Sequence, residues 1–142
     1  MQFFLSFLCY QFADYSIKTT NDDGEEIAIN DVVAIERKLG ISELVSCFTT
    51  ERKRFEREYE RAKAKGAKIY TLVEGASFEA MYAHRYTSKM LPQSLLASVY
   101  SWQARYNTAF VFCKAETSGK VIKDILRYEL REYLKKVGEE NG

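Results

Sequence analysis

The sequence has few of the residues that several common kinds of functional site require. Its 142 residues include one histidine, three cysteines and one proline. Because His84 stands alone, a histidine-rich zinc cluster is excluded, and we interpret His84 as a structural residue at or near the surface. The three cysteines are far apart and lack metal-ligand spacing. Cys9, Cys47 and Cys113 are therefore expected to be reduced thiols in an intracellular, cytoplasmic protein.

The chain also lacks a long apolar segment and a large net charge. Its apolar start, residues 1–10, is shorter than the roughly 20 residues of a membrane-spanning helix and carries no basic residue. We therefore expect a buried strand at 3–11 and no contact with a membrane. The 21 basic and 20 acidic side chains give a formal net charge of +1. Any site for a polyanion must consequently be local.

The composition is that of an ordinary globular protein, with 46% hydrophobic and 29% charged residues. Residues 1–142 are therefore predicted to form a single domain. Apolar periodicity predicts an α/β protein with a mixed central sheet flanked by helices on both faces. Strands are expected at 3–11, 12–17, 27–38, 68–74 and 109–113. Helices are expected near 41–48 with Ser42 as the cap, at 49–66, 76–82, 93–106 after Pro92, and 118–137, with a frayed end at 139–142.

The tripeptide Glu36-Arg37-Lys38, which closes the apolar run 32–35, is the most informative feature of the chain. Side chains alternate across a strand, so Glu36 and Lys38 point the same way and Arg37 points opposite. A carboxylate oxygen suits a hard cation such as Mg²⁺, and a lysine two positions on can hold a phosphate oxygen or an attacking water. Taken alone, the tripeptide fits a solvated strand end better than a functional site.

Other polar residues are expected to lie near this tripeptide. The sequence Asn-Asp-Asp-Gly at 21–24 predicts a tight turn, and the resulting hairpin would bring Asp14 close to Glu36. Strand 68–74 ends in a further carboxylate, Glu74. Polar residues at strand ends of such a sheet tend to collect in one crevice. Asp14, Glu36, Lys38 and Glu74 are therefore candidates for one site.

A basic segment follows the tripeptide. Residues 51–68 contain eight basic and four acidic side chains. A solvated helix face with paired charges would explain this surplus, and Arg54 would then form an ion pair with Glu58 four positions on.

These segments, taken in order, resemble the XPF-type nuclease domain, and most closely its small stand-alone bacterial and phage members. That family has a Gly-Asp-Tyr strand, then Glu-Arg-Lys, then an acidic residue that begins a helix. The resemblance covers about residues 12–135. The matching segments are Ala13-Asp14-Tyr15-Ser16, Val33-Ala34-Ile35-Glu36-Arg37-Lys38, Ser42-Glu43-Leu44, Arg54-Phe55-Glu56-Arg57-Glu58-Tyr59-Glu60-Arg61, Val73-Glu74-Gly75 and Ser101-Trp102-Gln103-Ala104-Arg105-Tyr106-Asn107.

The resemblance implies a restriction-endonuclease-like fold and a structure-specific endonuclease that hydrolyses DNA near branches or flaps with Mg²⁺ or Mn²⁺. By position, Asp14 and Glu36 would be metal ligands, and Lys38 would orient the nucleophilic water or stabilise charge on the phosphate. It also allows a homodimer. The arginines expected to contact DNA phosphates are Arg37, Arg52, Arg54, Arg57 and Arg61. For Arg105 we favour a buried structural role over a phosphate contact.

Three departures from the family pattern bear on activity. Ala13 replaces the glycine, and Ser42 stands where an acidic residue is expected, with Glu43 one position later. The family's first motif, Asp-x-Arg-Glu on the strand before Asp14, is missing, and residues 1–10 carry no charge. We expect a fold without its first strand, as in a shortened product of a longer coding region. Alternatively, Glu74 or Glu43 supplies the missing ligand, or the domain binds DNA without cutting it.

Overall fold

The computed structural model describes the backbone of residues 2–6 and 13–141 and the side chains of 13–140. Within these ranges the chain forms six strands and five helices. The strands are β1 (Gln2–Ser6), β2 (Ser16–Thr20), β3 (Glu26–Ala28), β4 (Val33–Lys38), β5 (Lys68–Glu74) and β6 (Ala109–Cys113). The helices are α1 (Ile41–Phe48), α2 (Arg52–Ala64), α3 (Phe78–Tyr82), α4 (Pro92–Tyr106) and α5 (Ala115–Asn141).

The strands form two three-stranded sheets. One is parallel, in the order β4-β5-β6, and the other is antiparallel, in the order β1-β2-β3. An antiparallel bridge between Tyr15 and Ile35 joins the segment before β2 to the middle of β4. The α/β class is therefore confirmed, but the strands pair as two bridged sheets and not as one continuous mixed sheet.

The division between the sheets has a local cause. The predicted strand 27–38 is interrupted by a turn in which Val32 and Val33 both donate their backbone N–H groups to the carbonyl of Ile29, each at 2.9 Å. This turn contains Asn30 and Asp31, whose short polar side chains favour turns over strands. As a result, β3 pairs with β2 while β4 leaves to begin the parallel sheet.

The start of the chain meets one expectation and contradicts another. Strand β1 lies within the apolar run, as the strand predicted at 3–11 requires, and its pairing with β2 contradicts the expectation of a fold without its first strand. It carries no charged residue. The rest of the predicted strand 3–11, the start of the predicted strand 12–17, and Cys9 lie outside the described residues. Within the described part, the second strand begins at Ser16.

Side chains of β4 alternate between two cores. Ala34 packs in a cluster with the apolar faces of α1, α2 and α4. Val33 and Ile35 point the other way and pack with Ile17 of β2 and Leu126 of α5. Helices therefore cover both faces of the parallel sheet, as the sequence predicts, and β4 is shared by both cores.

Several helix ends differ from the sequence prediction. Gly40, with φ at 134°, caps α1 in place of Ser42, and no side chain provides the cap hydrogen bond. Helix α2 begins at Arg52 because residues 49–51 form a turn. Helix α5 extends from Ala115 to Asn141, so the end expected to fray at 139–142 is helical as far as residue 141. No proline interrupts its sequence, and an acidic residue in the first turn suits the helix dipole.

The expectations about membrane-spanning segments and about the cysteines can be compared with the described residues. Among them, no helix is both long enough and apolar enough to cross a bilayer. Cys47 is buried and Cys113 half-buried, and both are free thiols.

Replacing Leu126 by alanine should destabilise the protein by about 3 kcal/mol, because Leu126 is fully buried between α5 and the sheets and its removal leaves a cavity. Urea unfolding of the two proteins would measure the difference. The matched control is Arg127→Ala, at the next and exposed position of the same helix, which should change stability by less than about 0.5 kcal/mol. Equal effects of the two substitutions would contradict the placement of α5.

Candidate active site

Backbone hydrogen bonds place Asp14 beside the end of β4. The N–H groups of Asp14 and Tyr15 both donate to the carbonyl of Ile35, at 3.0 and 3.1 Å, and the Ile35 N–H donates to the carbonyl of Tyr15 at 2.8 Å. One carboxylate oxygen of Asp14, Oδ2, accepts the backbone N–H of Arg37 at 2.9 Å. The expected proximity of Asp14 to Glu36 is therefore confirmed, although the partner of this segment is β4 itself and not a continuous hairpin.

Glu36 and Lys38 lie on one face of β4, as strand alternation predicts. They are 6% and 7% exposed. The Lys38 ammonium lies 3.0 Å from Oε1 of Glu36 and 3.7 Å from the centre of the Phe55 ring. The Lys38 ammonium is thus held between a carboxylate and an aromatic ring of α2, which restricts the lysine more than a solvated strand end would.

These side chains converge on one polar pocket. It lies between the bridge segment, the end of β4 and one face of α2, with Phe55 in its wall. The pocket joins residues that are more than twenty positions apart in sequence. Its lining residues are Ala13, Asp14, Glu36, Arg37, Lys38, Arg54, Phe55 and Glu58.

Burial and charge set the protonation of the pocket. Desolvation raises the pKa of Glu36 to about 7, with a smaller increase from Asp14, and the attraction of Lys38 only partly opposes it. For Lys38, burial lowers the pKa, but the neighbouring Glu36 carboxylate and Cys47 raise it more, so the ammonium stays charged. Burial raises the pKa of Cys47 to about 12, which keeps that thiol protonated.

Sequence reasoning did not select Glu58 as a site residue, yet Glu58 lines the pocket. Burial raises the pKa of Glu58, while Arg54 and then Lys38 lower it. The available signal was helical spacing: Glu58 lies four positions after Arg54 and three after Phe55, so all three share one side of α2.

The arginines of α2 are divided between faces. Arg54 lines the pocket and forms an ion pair with Glu51 at 3.0 Å, and not the pair with Glu58 that was the alternative to a DNA contact. Arg61 lies near enough to Glu58 to lower its pKa. Arg52, two positions before Arg54 and hence about 200° around the helix, pairs with Glu56 at 2.8 Å.

The remaining arginines have different surroundings. Arg57 is exposed. Arg105 is exposed too, with its guanidinium 5.6 Å from the Tyr106 ring, so the expected burial of Arg105 is wrong. Arg37 directs its guanidinium to Glu74 and to the Tyr15 hydroxyl, on the face opposite Glu36 and Lys38.

The two accessory carboxylates do not join the pocket. Oε2 of Glu43 accepts the Leu39 N–H at 2.7 Å, which satisfies a backbone donor just before α1. Glu74 lies on the face of the sheet opposite Glu36. The register pairs Lys38 with Val73, so Glu74, the next residue of β5, points to the other face, where it forms an ion pair with Arg37. His84 is exposed and stacks on Tyr86, as expected of a surface residue.

The donor set suits a hard cation that keeps part of its water shell. Among residues 13–140, no three or more carboxylate, histidine or cysteine side chains gather as a metal-binding group. Asp14 and Glu36 offer two carboxylates at one pocket. Mg²⁺ is commonly bound by one or two carboxylates together with water and substrate phosphates, so this pair fits such an ion but not a closed protein cage.

Comparison with known proteins identifies the family. The family model for the ERCC4 domain matches residues 5–125. The chain therefore belongs to the ERCC4 domain family, which is the family of XPF-type structure-specific nucleases. Nucleases of this family generally use a divalent metal.

A solved structure shows the same fold. XPF from Aeropyrum pernix superposes with a TM-score of 0.53 at 20% sequence identity, covering 86% of this chain and 54% of the archaeal chain. This chain thus spans about half the length of that protein. A search of curated proteins finds no match to the sequence.

Stability in the presence of a metal chelator should depend on pH through Glu36. The unfolded carboxyl ionises near 4.5 and the folded one near 7, so Glu36 destabilises the fold increasingly as pH rises through this window. Glu36→Gln removes the titration. The unfolding free energy of the wild type, minus that of Glu36→Gln, should fall by about 2 to 3 kcal/mol between pH 5 and pH 8. A difference that stays constant across these pH values would contradict the raised pKa.

Proposed function

We propose that this chain is a divalent-metal-dependent endonuclease that hydrolyses phosphodiester bonds in branched or flap-containing DNA. The observation that carries the proposal is the convergence of Asp14, Glu36 and Lys38 in one polar pocket beside Arg54. Family membership supports the reaction class. The pocket supplies the groups that such a reaction needs: carboxylates for a cation, an ammonium for developing negative charge, and an arginine at the rim.

The two carboxylates and the lysine of the pocket have different tasks in this proposal. Asp14 and Glu36 would hold Mg²⁺ or Mn²⁺, which when bound lowers the pKa of a coordinated water and offsets charge on the phosphate. Lys38 is kept charged and is held by the Phe55 ring and Glu36, so it can orient the attacking water or stabilise the phosphate oxygens. The burial of Glu36 and Lys38 strengthens their electrostatic interactions.

DNA contact is proposed for the arginines on the pocket side of α2. Arg54 lines the pocket, its exposed side chain can reach a phosphate, and Arg61 lies near the same Glu58. Arg57 is exposed between them. Phosphate contacts position a duplex without reading bases, which suits recognition by branch shape. Arg52, expected to bind DNA, faces another side of α2 and pairs with Glu56.

A second candidate function is a DNA-binding module, or the degenerate subunit of a nuclease pair, that does not cleave. Two observations favour it: among the described residues no three metal-ligating side chains gather closely enough to hold an ion, and Glu36 is ion-paired to Lys38. The chain would then act through binding, as a homodimer or beside an active partner. An intracellular location belongs to either proposal and agrees with the free thiols Cys47 and Cys113.

Replacing Glu36 by glutamine should reduce cleavage of a flap or branched DNA in Mg²⁺ by at least about a hundredfold, because a metal ligand is lost. Single-turnover cleavage assays would measure it. The matched control is Glu43→Gln, which removes one carboxylate outside the pocket and should leave the rate within about threefold of the wild type. Equal cleavage by the wild type and Glu36→Gln would indicate a contaminating nuclease.

The same assay separates the two candidate functions. An endonuclease should cut in Mg²⁺ or Mn²⁺ and stop on addition of a chelator. A binding module should show no cleavage in Mn²⁺, while its salt-sensitive binding of branched DNA survives Glu36→Gln.

The double substitution Arg54→Ala and Arg61→Ala should weaken binding of branched DNA and reduce the dependence of log K on log salt by about 1 to 2, because up to two phosphate contacts are lost. Binding titrations at several salt concentrations in a chelator would measure this. The matched control, Arg52→Ala on the other side of α2, should leave the salt dependence as in the wild type. A larger effect of Arg52→Ala would move the DNA interface to that side.

A further inference from the structure

The side chain of Arg37 forms a polar network on the face of β4 opposite the pocket. Its Nε donates to Oε1 of Glu74 at 2.7 Å, and its Nη2 lies 2.6 Å from the same oxygen. Nη1 donates to the hydroxyl of Tyr15 at 3.2 Å. All three guanidinium nitrogens therefore have a partner within the protein, although the side chain is 34% exposed.

Glu74 anchors this network. It is 7% exposed, and its Oε1 also accepts a hydrogen bond from the Ser118 hydroxyl, in the first turn of α5, at 2.5 Å. The hydrogen bond from Ser118, followed by those from Arg37, lowers the pKa of Glu74, so the carboxylate is charged at neutral pH. The network thus ties together β4, the end of β5 and the start of α5.

Arg37 is also linked to the pocket by hydrogen bonds to two adjacent residues, Asp14 and Tyr15. Its backbone N–H donates to Oδ2 of Asp14, while its guanidinium donates to the hydroxyl of Tyr15. Arg37 thus contacts both residues of the bridge segment, one with its backbone and one with its side chain. In metal sites, hydrogen-bond partners outside the ligand set commonly fix the orientation of a ligating carboxylate.

We propose that Arg37 is a positioning residue, which holds Asp14 in place for the metal through Tyr15 and its own backbone N–H and does not contact DNA. The inference rests on the proposed metal site and replaces the phosphate contact expected for Arg37 from the sequence. A phosphate contact would draw the guanidinium away from Glu74. That would leave a nearly buried carboxylate without its countercharge, which is costly.

The test compares Arg37→Gln and Tyr15→Phe with the wild type, and uses Arg52→Gln as a matched arginine control. In metal-free buffer, amide hydrogen exchange at Asp14 and Tyr15, whose N–H groups both bond to Ile35, should be faster in Arg37→Gln and less so in Tyr15→Phe. Mn²⁺ affinity, from calorimetric titration without DNA, should fall about tenfold in Arg37→Gln. Arg52→Gln should match the wild type in both measurements.

A third measurement separates positioning from DNA contact. The salt dependence of branched-DNA binding in a chelator should be the same in Arg37→Gln as in the wild type. A decrease of about one in that slope, with wild-type exchange and Mn²⁺ affinity, would assign Arg37 to a phosphate and overturn the proposal. Unchanged exchange and Mn²⁺ affinity in both variants would overturn it as well.

Two further outcomes remain informative. If the wild type binds no Mn²⁺, the proposed metal site fails, and the exchange measurements alone decide whether Arg37 holds Asp14. If the melting temperature shows that Arg37→Gln does not fold, Tyr15→Phe carries the test, since it keeps the guanidinium and removes only the hydroxyl. Wild-type exchange at Asp14 in Tyr15→Phe would then reject the proposal.

Discussion

The short antiparallel bridge between Tyr15 and Ile35 is the interaction on which the candidate site depends. Three backbone hydrogen bonds hold the segment 14–15 against the middle of β4. Without them, the antiparallel sheet and the parallel sheet would have no strand contact at this point, and Asp14 would not lie beside Glu36. Because backbone groups in a core must find partners, the bridge also satisfies the N–H and the carbonyl of the fully buried Ile35.

A second constraint is the burial of Glu36 and Lys38, which are only 6% and 7% exposed. Removing both groups from water is unfavourable, and their 3.0 Å contact offsets only part of that cost, as the raised pKa of Glu36 shows. A protein selected only for stability would gain little from such a pair. The arrangement is consistent with a site in which a cation and a phosphate complete the charge balance.

Much of the fold could be predicted from the sequence because its local signals are strong. The uninterrupted apolar strand at 68–74 and the proline at the first position of α4 lie where the sequence predicts them. The long strand predicted at 27–38 was wrong, because the turn-forming residues Asn30 and Asp31 outweighed the apolar residues around them. The predicted cap of α1 was wrong too. The cap is Gly40, at φ 134°, and not Ser42 two positions later.

The candidate site was predictable in part. Strand alternation placed Glu36 and Lys38 on one face, and turn chemistry indicated that Asp14 lies near them. The same alternation put Arg37 on the opposite face. Glu74 was expected in the pocket but lies with Arg37, because of a parallel register that could not be read from either residue alone. Glu58 was missed because its importance depends on how α2 packs against β4.

The sequence by itself determined the element types, the family resemblance and the alternation of Glu36, Arg37 and Lys38, since these depend on residues close together in the chain. The tertiary structure decided which distant groups meet: Asp14 with the end of β4, Arg54 and Glu58 with the pocket, and Glu74 with Arg37 on the other face. The reason is physical. Burial and charge pairing act through space, and a strand register or the rotation of a helix against a sheet fixes distances that no local pattern contains.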